Sequence, residues 1–429
     1  DASALCERRV KTTRPVSMES STARLLLQCV AAVITIVVLR THFAPRHRAG
    51  PAAASSACAL RDTLQRRIAT EAHHSIPHST NEISLYFWFR WHGSRRAHHP
   101  NRHSTIACAG GLRCVLNSTD AAFPHADAVV IWVGARPERR CLPPKLPGQP
   151  WAVEYTESPA YYPELWDAAF MRQFALKVSY EHDSDVVLTA VHPLVEGGIV
   201  PPARWVHARP RDARTAVVWL ASNCDSKNRR EALVRRLGAA LPPTLPLHSV
   251  GRCLHNHDAD ELQPKAGAWT DGDDASLRSK LALLGGYAFC LVLENSIAAD
   301  YVTEKLFHAF AAGCVPVYYG TRDVSKVLPH ARAAVQVLDH PDVPSLANEL
   351  ATIAATPGEL QARLAWRDDA AAVDAWWRRL RNATAAATTA TKPQHFCSVC
   401  EAVRAVRARD PGRRLPPSRR PPSSAWAAL

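Results

Sequence analysis

No uncharged apolar run in this 429-residue chain reaches 18 residues, the length that marks a full membrane span. The run nearest the amino terminus, Leu25 to Leu39 (LLLQCVAAVITIVVL), lies between Arg24 and Arg40. It is short for a spanning helix and equally suits the apolar core of a cleaved signal. Basic residues flank both sides, so charge bias leaves its orientation open. A single signal-anchor with the chain beyond it lumenal fits these features best. It divides the start into a cytosolic segment 1–24, an anchor 25–39 and a stem 40–80 rich in Ala, His, Pro and Ser. Methionine is nearly absent too: there are two, and the first is Met18. Translation is expected to start there, with residues 1–17 spurious or an extension.

Other absences exclude whole classes. The net charge of +13 invites a nucleic-acid reading, but seven Arg against one Asp fall from Arg404 onward, in a Pro-rich tail. No RNA- or DNA-binding motif accompanies them, so a solvated, disordered tail without a nucleic-acid partner is expected. No second CxxC and no nearby His-x-x-x-His completes a zinc site around Cys397 and Cys400. The acidic Asp271–Asp274 stretch lacks the closing Glu of an EF-hand.

What is present points to an oxidising compartment. Asn117-Ser118-Thr119 and Asn382-Ala383-Thr384 are glycosylation acceptor patterns, each weak alone. Twelve cysteines include Cys108 with Cys114, Cys224 with Cys253, and Cys397 with Cys400. In a lumen these read as disulfides, in a cytosol as metal ligands. Cys290 and Cys314 sit in expected strands and read as buried thiols. In the stem, Leu60, Leu64 and Ile68 share one helical face: a marginal local helix, or a stripe that pairs stems in a homodimer.

The most informative stretch is Tyr287–Gly320. Phe289–Leu293 is an apolar run without Gly or Pro, as in a buried parallel strand. It ends in Glu294-Asn295-Ser296. Thr303 then starts a helix as its cap, Leu306, Phe307, Phe310 and Ala311 share a face, Gly313 stops it, and Val315–Tyr319 is the next strand. Ligands bind outside the carboxyl ends of such strands. Lys305 stands in the first helical turn, where the dipole favours an anion. Glu304 suits sugar hydroxyls and repels phosphate. The pair fits a nucleotide-sugar, and equally an ordinary surface pair opening a helix.

Three further stretches complete the pattern. Ile83–Trp91, Ala128–Val133 and Trp151–Tyr155 are strands, the last ending in Thr156-Glu157-Ser158-Pro159. Glu157 is placed to act as a general base or to cap a helix near Pro163–Arg172, and Glu154 competes with it. Asp183-Ser184-Asp185 matches the DxD of metal-dependent transferases. Ala216–Leu220 opens a second strand–loop–helix unit with Leu233, Leu237 and Leu241 on one stripe. At its basic helix start Arg229 is placed to reach a diphosphate, or to belong to a solvated basic face, since Arg229, Arg230, Arg235 and Arg236 cannot all point inward.

ENS-x4-YVTEKLF-x4-AGCVPVYYG resembles the donor-binding signature of the α-1,3-fucosyltransferases. Weaker matches extend the resemblance over residues 80–400. It implies an α/β, GT-B-like fold: two Rossmann-like domains facing a cleft after an anchor and stem. The acceptor side would be 81–207, the GDP-fucose side 208–385, and 386–429 a CxxC segment with the tail. It implies an inverting transferase with GDP-fucose as substrate, no cofactor or metal, and a glycoprotein or glycan acceptor in the Golgi or endoplasmic reticulum. Carried over residue by residue, Glu157 would be the base. Asn295, Tyr301, Glu304 and Lys305 would contact the donor, joined by Arg229 (chosen over Arg230 by the SN-x5-R spacing) and Asn223. The family also pairs its CxxC cysteines and carries the DSD segment without a metal, which makes Asp183 and Asp185 structural or acceptor-side. Val250 departs from the family's S-Y-G-x-C. A protein O-fucosyltransferase, a metal-dependent enzyme using Asp183 and Asp185, and an inactive lectin-like relative are the alternatives.

Overall fold

Apolar runs free of interior Gly and Pro become the inner strands of two sheets. The structure, a computed structural model, describes residues 51–70, 81–88, 103–135, 141–188, 214–258, 274–383, 392–410 and 412–420. Helix α1 (Pro51–Thr70) comes first. Strands β1 (Glu82–Trp88), β2 (His103–Ala107), β3 (Arg113–Asn117), β4 (Ala128–Trp132), β5 (Trp151–Tyr155), β6 (Leu176–Ser179) and β7 (Val186–Val187) form one sheet, with α2 (Ala168–Met171) between β5 and β6. Its order is β2-β3-β1-β4-β5-β6-β7. Only β2 runs antiparallel, paired to β3 at the edge.

The second sheet follows from β8 (Arg214–Trp219), α3 (Arg230–Ala240), β9 (Leu247–Ser249), α4 (Asp274–Gly285), β10 (Tyr287–Leu293), α5 (Glu304–Ala312), β11 (Val315–Tyr319) and β12 (Val335–Gln336). Its order is β12-β11-β10-β8-β9, all parallel. The order reverses between β8 and β10, the switch point where such sheets open a ligand crevice. Every residue of β10 is buried, which explains its unbroken apolar sequence. Gly313 ends α5 at φ 80°, and a Cβ there would strike the Arg367 guanidinium. Helices α6 (Val343–Ala355), α7 (Glu359–Leu364) and α8 (Ala370–Ala383) complete this half. The last, α9 (Lys392–Arg409), returns to the first sheet, burying Phe396, Val399, Val403 and Val406 against Leu85, Val130 and Leu176.

That return corrects the cysteine reading. Cys397 and Cys400 do not bridge each other, and neither do Cys108 and Cys114. One helical turn apart on the buried face of α9, the first two thiols both point at the β2–β3 edge. The bonds are Cys108–Cys397 and Cys114–Cys400, with Cα–Cα separations of 5.6 and 5.9 Å. Cys290 and Cys314 are bonded rather than free thiols, because neighbouring parallel strands bring their Cα atoms to 5.8 Å. Cys224–Cys253 is as expected. A fifth bridge, Cys58–Cys141, ties α1 to the first domain.

The same contact corrects the stem. Leu64 is fully buried, and Leu60 and Ile68 pack against the same core as Trp151 and Phe174. The stripe expected to pair stems is therefore covered within the chain. Gly412–Arg420 is likewise no solvated tail: Leu415 and Ser418 are buried against the first domain. Asn117 ends β3 half-buried, its side-chain oxygen accepting from Thr119 N–H and hydroxyl at 3.0 and 2.8 Å. Asn382 falls in the last turn of α8. Among the described residues no helix is long and apolar enough to cross a membrane. The expected anchor, Met18, all of the stem outside α1, and Asp271–Asp273 lie outside them.

Non-reducing peptide mapping is expected to join Cys108 to Cys397 and Cys114 to Cys400. Replacing Cys397 and Cys400 with Ala should lower unfolding free energy by about 2–5 kcal/mol in denaturant titration. A Cys397–Cys400 linkage would contradict this packing.

Candidate active site

The carboxyl ends of β5, β8 and β10 converge. Beyond β5, Glu157 turns its Oε2 to the loop after β10, where it accepts hydrogen bonds from Tyr301 Oη at 2.7 Å and Asn295 Nδ2 at 3.1 Å. The helix cap read for this region is Asp167, which takes the Ala169 and Phe170 N–H groups. Tyr301 is 2 % exposed and lies edge-on to Tyr180 at 5.0 Å. Burial, then the Glu157 charge, pushes its hydroxyl far above the usual tyrosine range, so it stays a donor.

Glu294, fully buried at the end of β10, organises the helix start. Its two oxygens accept from Thr303 N–H at 2.8 Å, Thr303 Oγ1 at 2.7 Å and Lys305 Nζ at 3.3 Å. Thr303 stands at the cap position of α5 but its side chain caps nothing, because its hydroxyl is turned to Glu294. Lys305 also lies 3.4 Å from Glu304. Burial opposes its charge, yet Glu294 and Glu304 hold the ammonium above the usual lysine range. Burial likewise opposes ionisation of Glu304, but Lys305 and Lys280 keep it well below the usual carboxylate range. Lys305 remains 30 % exposed, so its charge is partly matched from within and partly open to a ligand.

The loop after β8 places its two arginines differently. Arg230 is 3 % exposed, donating to the carbonyls of Leu293 at 2.7 Å and Asn223 at 2.9 Å. Arg229 sits at the α3 cap with φ 55°, exposed. Asn223 is half-buried beside Tyr161, and its side-chain oxygen accepts from Asp225 N–H at 3.1 Å. The structure therefore brings Glu157, Asn295 and Tyr301 into direct contact, sets Glu304 and Lys305 beside them, and leaves Arg229 exposed at the start of α3. Val250, the departure from the expected Tyr, packs against the apolar core of the second sheet.

Asp183 and Asp185 are held by basic groups. Asp183 pairs with Lys177 and, at 3.3 Å, with Arg419; Asp185 accepts from Lys177 N–H at 2.8 Å and pairs with Arg413. Burial opposes the Asp183 charge, but Lys177 draws its pKa below the usual range. Of the two roles expected of them, structural or acceptor-side, these contacts describe the structural one. Among the described residues no group of three His, Cys, Asp or Glu is arranged to hold a metal ion.

With the geometry in hand, two family profiles match in register with the two sheets. Fucosyltransferase, N-terminal, covers residues 79–190, and Glycosyltransferase family 10 (fucosyltransferase) C-term covers 210–413. The chain belongs to glycosyltransferase family 10. Similar curated proteins include GDP-fucose protein O-fucosyltransferase 3 of Danio rerio, 27 % identical over 60 % of this chain and 56 % of its own length. Another is α-(1,3)-fucosyltransferase B of Drosophila melanogaster, 27 % identical over 49 % of this chain and 47 % of its own. The chain thus spans about half the length of the curated relatives it matches. A crystal structure of α1,3-fucosyltransferase matches with 13 % identity and TM-score 0.43, covering 71 % of this chain and 87 % of that one. A second, with GDP-fucose, matches with 12 % identity and TM-score 0.39 over 76 % and 97 %.

Sequence reasoning set Arg230 aside in favour of Arg229, missed Tyr161 and Lys227, and gave Glu294 no partner. Arg230 was legible, since it stands three and seven residues before Leu233 and Leu237 on the buried stripe. Lys227 packs over Tyr161 at 5.5 Å and donates its backbone N–H to the Asn295 carbonyl at 2.8 Å, a cross-loop contact with no local signal. Glu154 is the remaining carboxylate. It alternates onto the sheet face opposite Tyr155, and burial pushes it from 4.5 to about 7. Between those values the folded chain keeps a proton that the unfolded chain has lost, so stability falls as pH rises through that window. Glu154→Gln should remove this slope and stabilise the chain at pH 8 by about 1–3 kcal/mol, read by urea unfolding at pH 5 and 8. An unchanged slope would contradict the burial argument.

Proposed function

We propose that this chain transfers L-fucose from GDP-β-L-fucose to an acceptor hydroxyl with inversion. The observation that carries the reading is the Glu157 carboxylate held by Asn295 and Tyr301 of the donor loop. Two donors occupy one oxygen, which orients the other toward an acceptor. That oxygen takes the acceptor proton as the acceptor oxygen bonds to the anomeric carbon. The bond from that carbon to the β-phosphate oxygen breaks on the opposite face, and its electron pair leaves with GDP. The new link is α.

Charge on the departing diphosphate falls to Lys305, to exposed Arg229 and Lys227, and to the N–H groups opening α5. Glu294 serves here by fixing Thr303 and Lys305. Glu304 is positioned for sugar hydroxyls, and no metal is required. Support for the donor comes from family membership and from the named relatives. Among acceptors, α-1,3 transfer to GlcNAc of a glycoprotein glycan stands first. Transfer to a hydroxyl of a folded protein is the second reading, favoured by relatives named protein O-fucosyltransferase 3. Five disulfides suit a lumenal site of action, the Golgi, with the N-terminal segment as anchor.

Glu157→Gln should keep GDP affinity in calorimetry while turnover drops by roughly 10²–10⁴-fold, and retained turnover would remove it as the base. Arg229→Ala, at an exposed position, should weaken GDP binding about tenfold without changing the melting temperature. Wild-type affinity in that variant would show that Arg229 does not reach the diphosphate. Turnover is expected to persist in EDTA; its loss would favour metal-dependent chemistry.

A further inference from the structure

The segment Gly412–Arg420 has the composition of a solvated tail and the contacts of a structural element. Leu415 donates its N–H to the Phe174 carbonyl at 3.1 Å and Ser418 to the Leu165 carbonyl at 2.8 Å. Leu415 is 4 % exposed, in the same apolar cluster as Tyr155, Tyr180, Ala298 and Tyr301. Ser418 Oγ lies 3.1 Å from Tyr155 Oη, which donates to Glu181 at 2.9 Å.

Charge explains why the segment docks. Glu181, Asp183 and Asp185 place three carboxylates around the end of β6, and this domain answers with one buried cation, Lys177, 3.0 Å from Glu181. Arg413 on Asp185 and Arg419 on Asp183 supply the other two positive charges. Of these, Arg413 carries more, since its pair is the less exposed and exposed pairs contribute little.

We infer that Gly412–Arg420 is a positioning strap for the catalytic wall: it holds Tyr155 and Tyr180 where Tyr301 can keep its hydroxyl on Glu157. The path is continuous. Tyr155 packs edge-on to Tyr180 at 6.0 Å, Tyr180 packs on Tyr301 at 5.0 Å, and Tyr301 donates to Glu157. The catalytic meaning rests on the proposed role of Glu157, whereas the mechanical coupling does not.

The test compares the full chain, a chain ending at Asp410, Arg413→Glu, and the swapped pair Arg413→Glu with Asp185→Arg. Hydrogen exchange of the peptide spanning 295–303 reads the coupling without any turnover. It should speed up in the truncation and in Arg413→Glu, and return toward wild type in the swapped pair. kcat should fall about tenfold in the same two variants, as a small misplacement of a reacting group produces, with KM for GDP-fucose within about threefold and partial rescue in the swap. Wild-type exchange and kcat in Arg413→Glu would overturn the strap. An unfolded truncation leaves the single variant and its swap to decide. Changed exchange in a chain that has no turnover at all would keep the strap and remove the transferase reading instead.

Discussion

One carboxylate oxygen of the first half of this protein is held by two groups of the second. Glu157 Oε2 is held by a tyrosine hydroxyl and an asparagine amide that the second sheet presents from the loop after β10. The base candidate is therefore oriented by the donor-side loop, not by its own strand. Tyr301 is suited to this because burial keeps it a phenol, a donor that cannot compete for the proton. Any ligand that reshapes the Asn295–Thr303 loop acts directly on the orientation of Glu157.

Behind that contact stands a second constraint, the buried charge of Glu294. An ionised carboxylate without solvent needs its lone pairs filled. Thr303 and Lys305 do so, and in doing so they set the first turn of α5. Arg230 plays the matching part across the crevice, donating to carbonyls at the ends of the β8 loop and β10. Each arrangement uses one charged group to fix backbone, while Arg229, Lys227 and part of the Lys305 side chain stay exposed.

Much of this was legible in the sequence where the signal is local. The run Phe289–Leu293, the spacing of Leu306, Phe307 and Phe310, and Gly313 state strand, helix and stop, and all three form. Cys224 and Cys253 pair as expected because neighbouring loops carry them. Long-range pairings were not legible. Cys397 and Cys400 sit three apart, which suggests a mutual bridge, while the helix beneath them sends both to a sheet edge almost 290 residues earlier. The basic, Pro-rich strap reads as disordered because composition ignores its partners, Asp183 and Asp185, which lie more than 220 residues away. Thr303 has the residue type and position of a cap, and only the buried Glu294 explains why its hydroxyl turns elsewhere.

The most direct measurement is the anomeric configuration of the product formed by the disulfide-bonded chain with GDP-β-L-fucose and two acceptors, an N-glycan and a folded protein. The account predicts an α-linked fucoside on one of them, read from the anomeric proton by NMR, with stoichiometric release of GDP. A β-linked product, or a chain that neither turns over nor binds GDP-fucose, would contradict a base at Glu157 facing a donor on the second sheet.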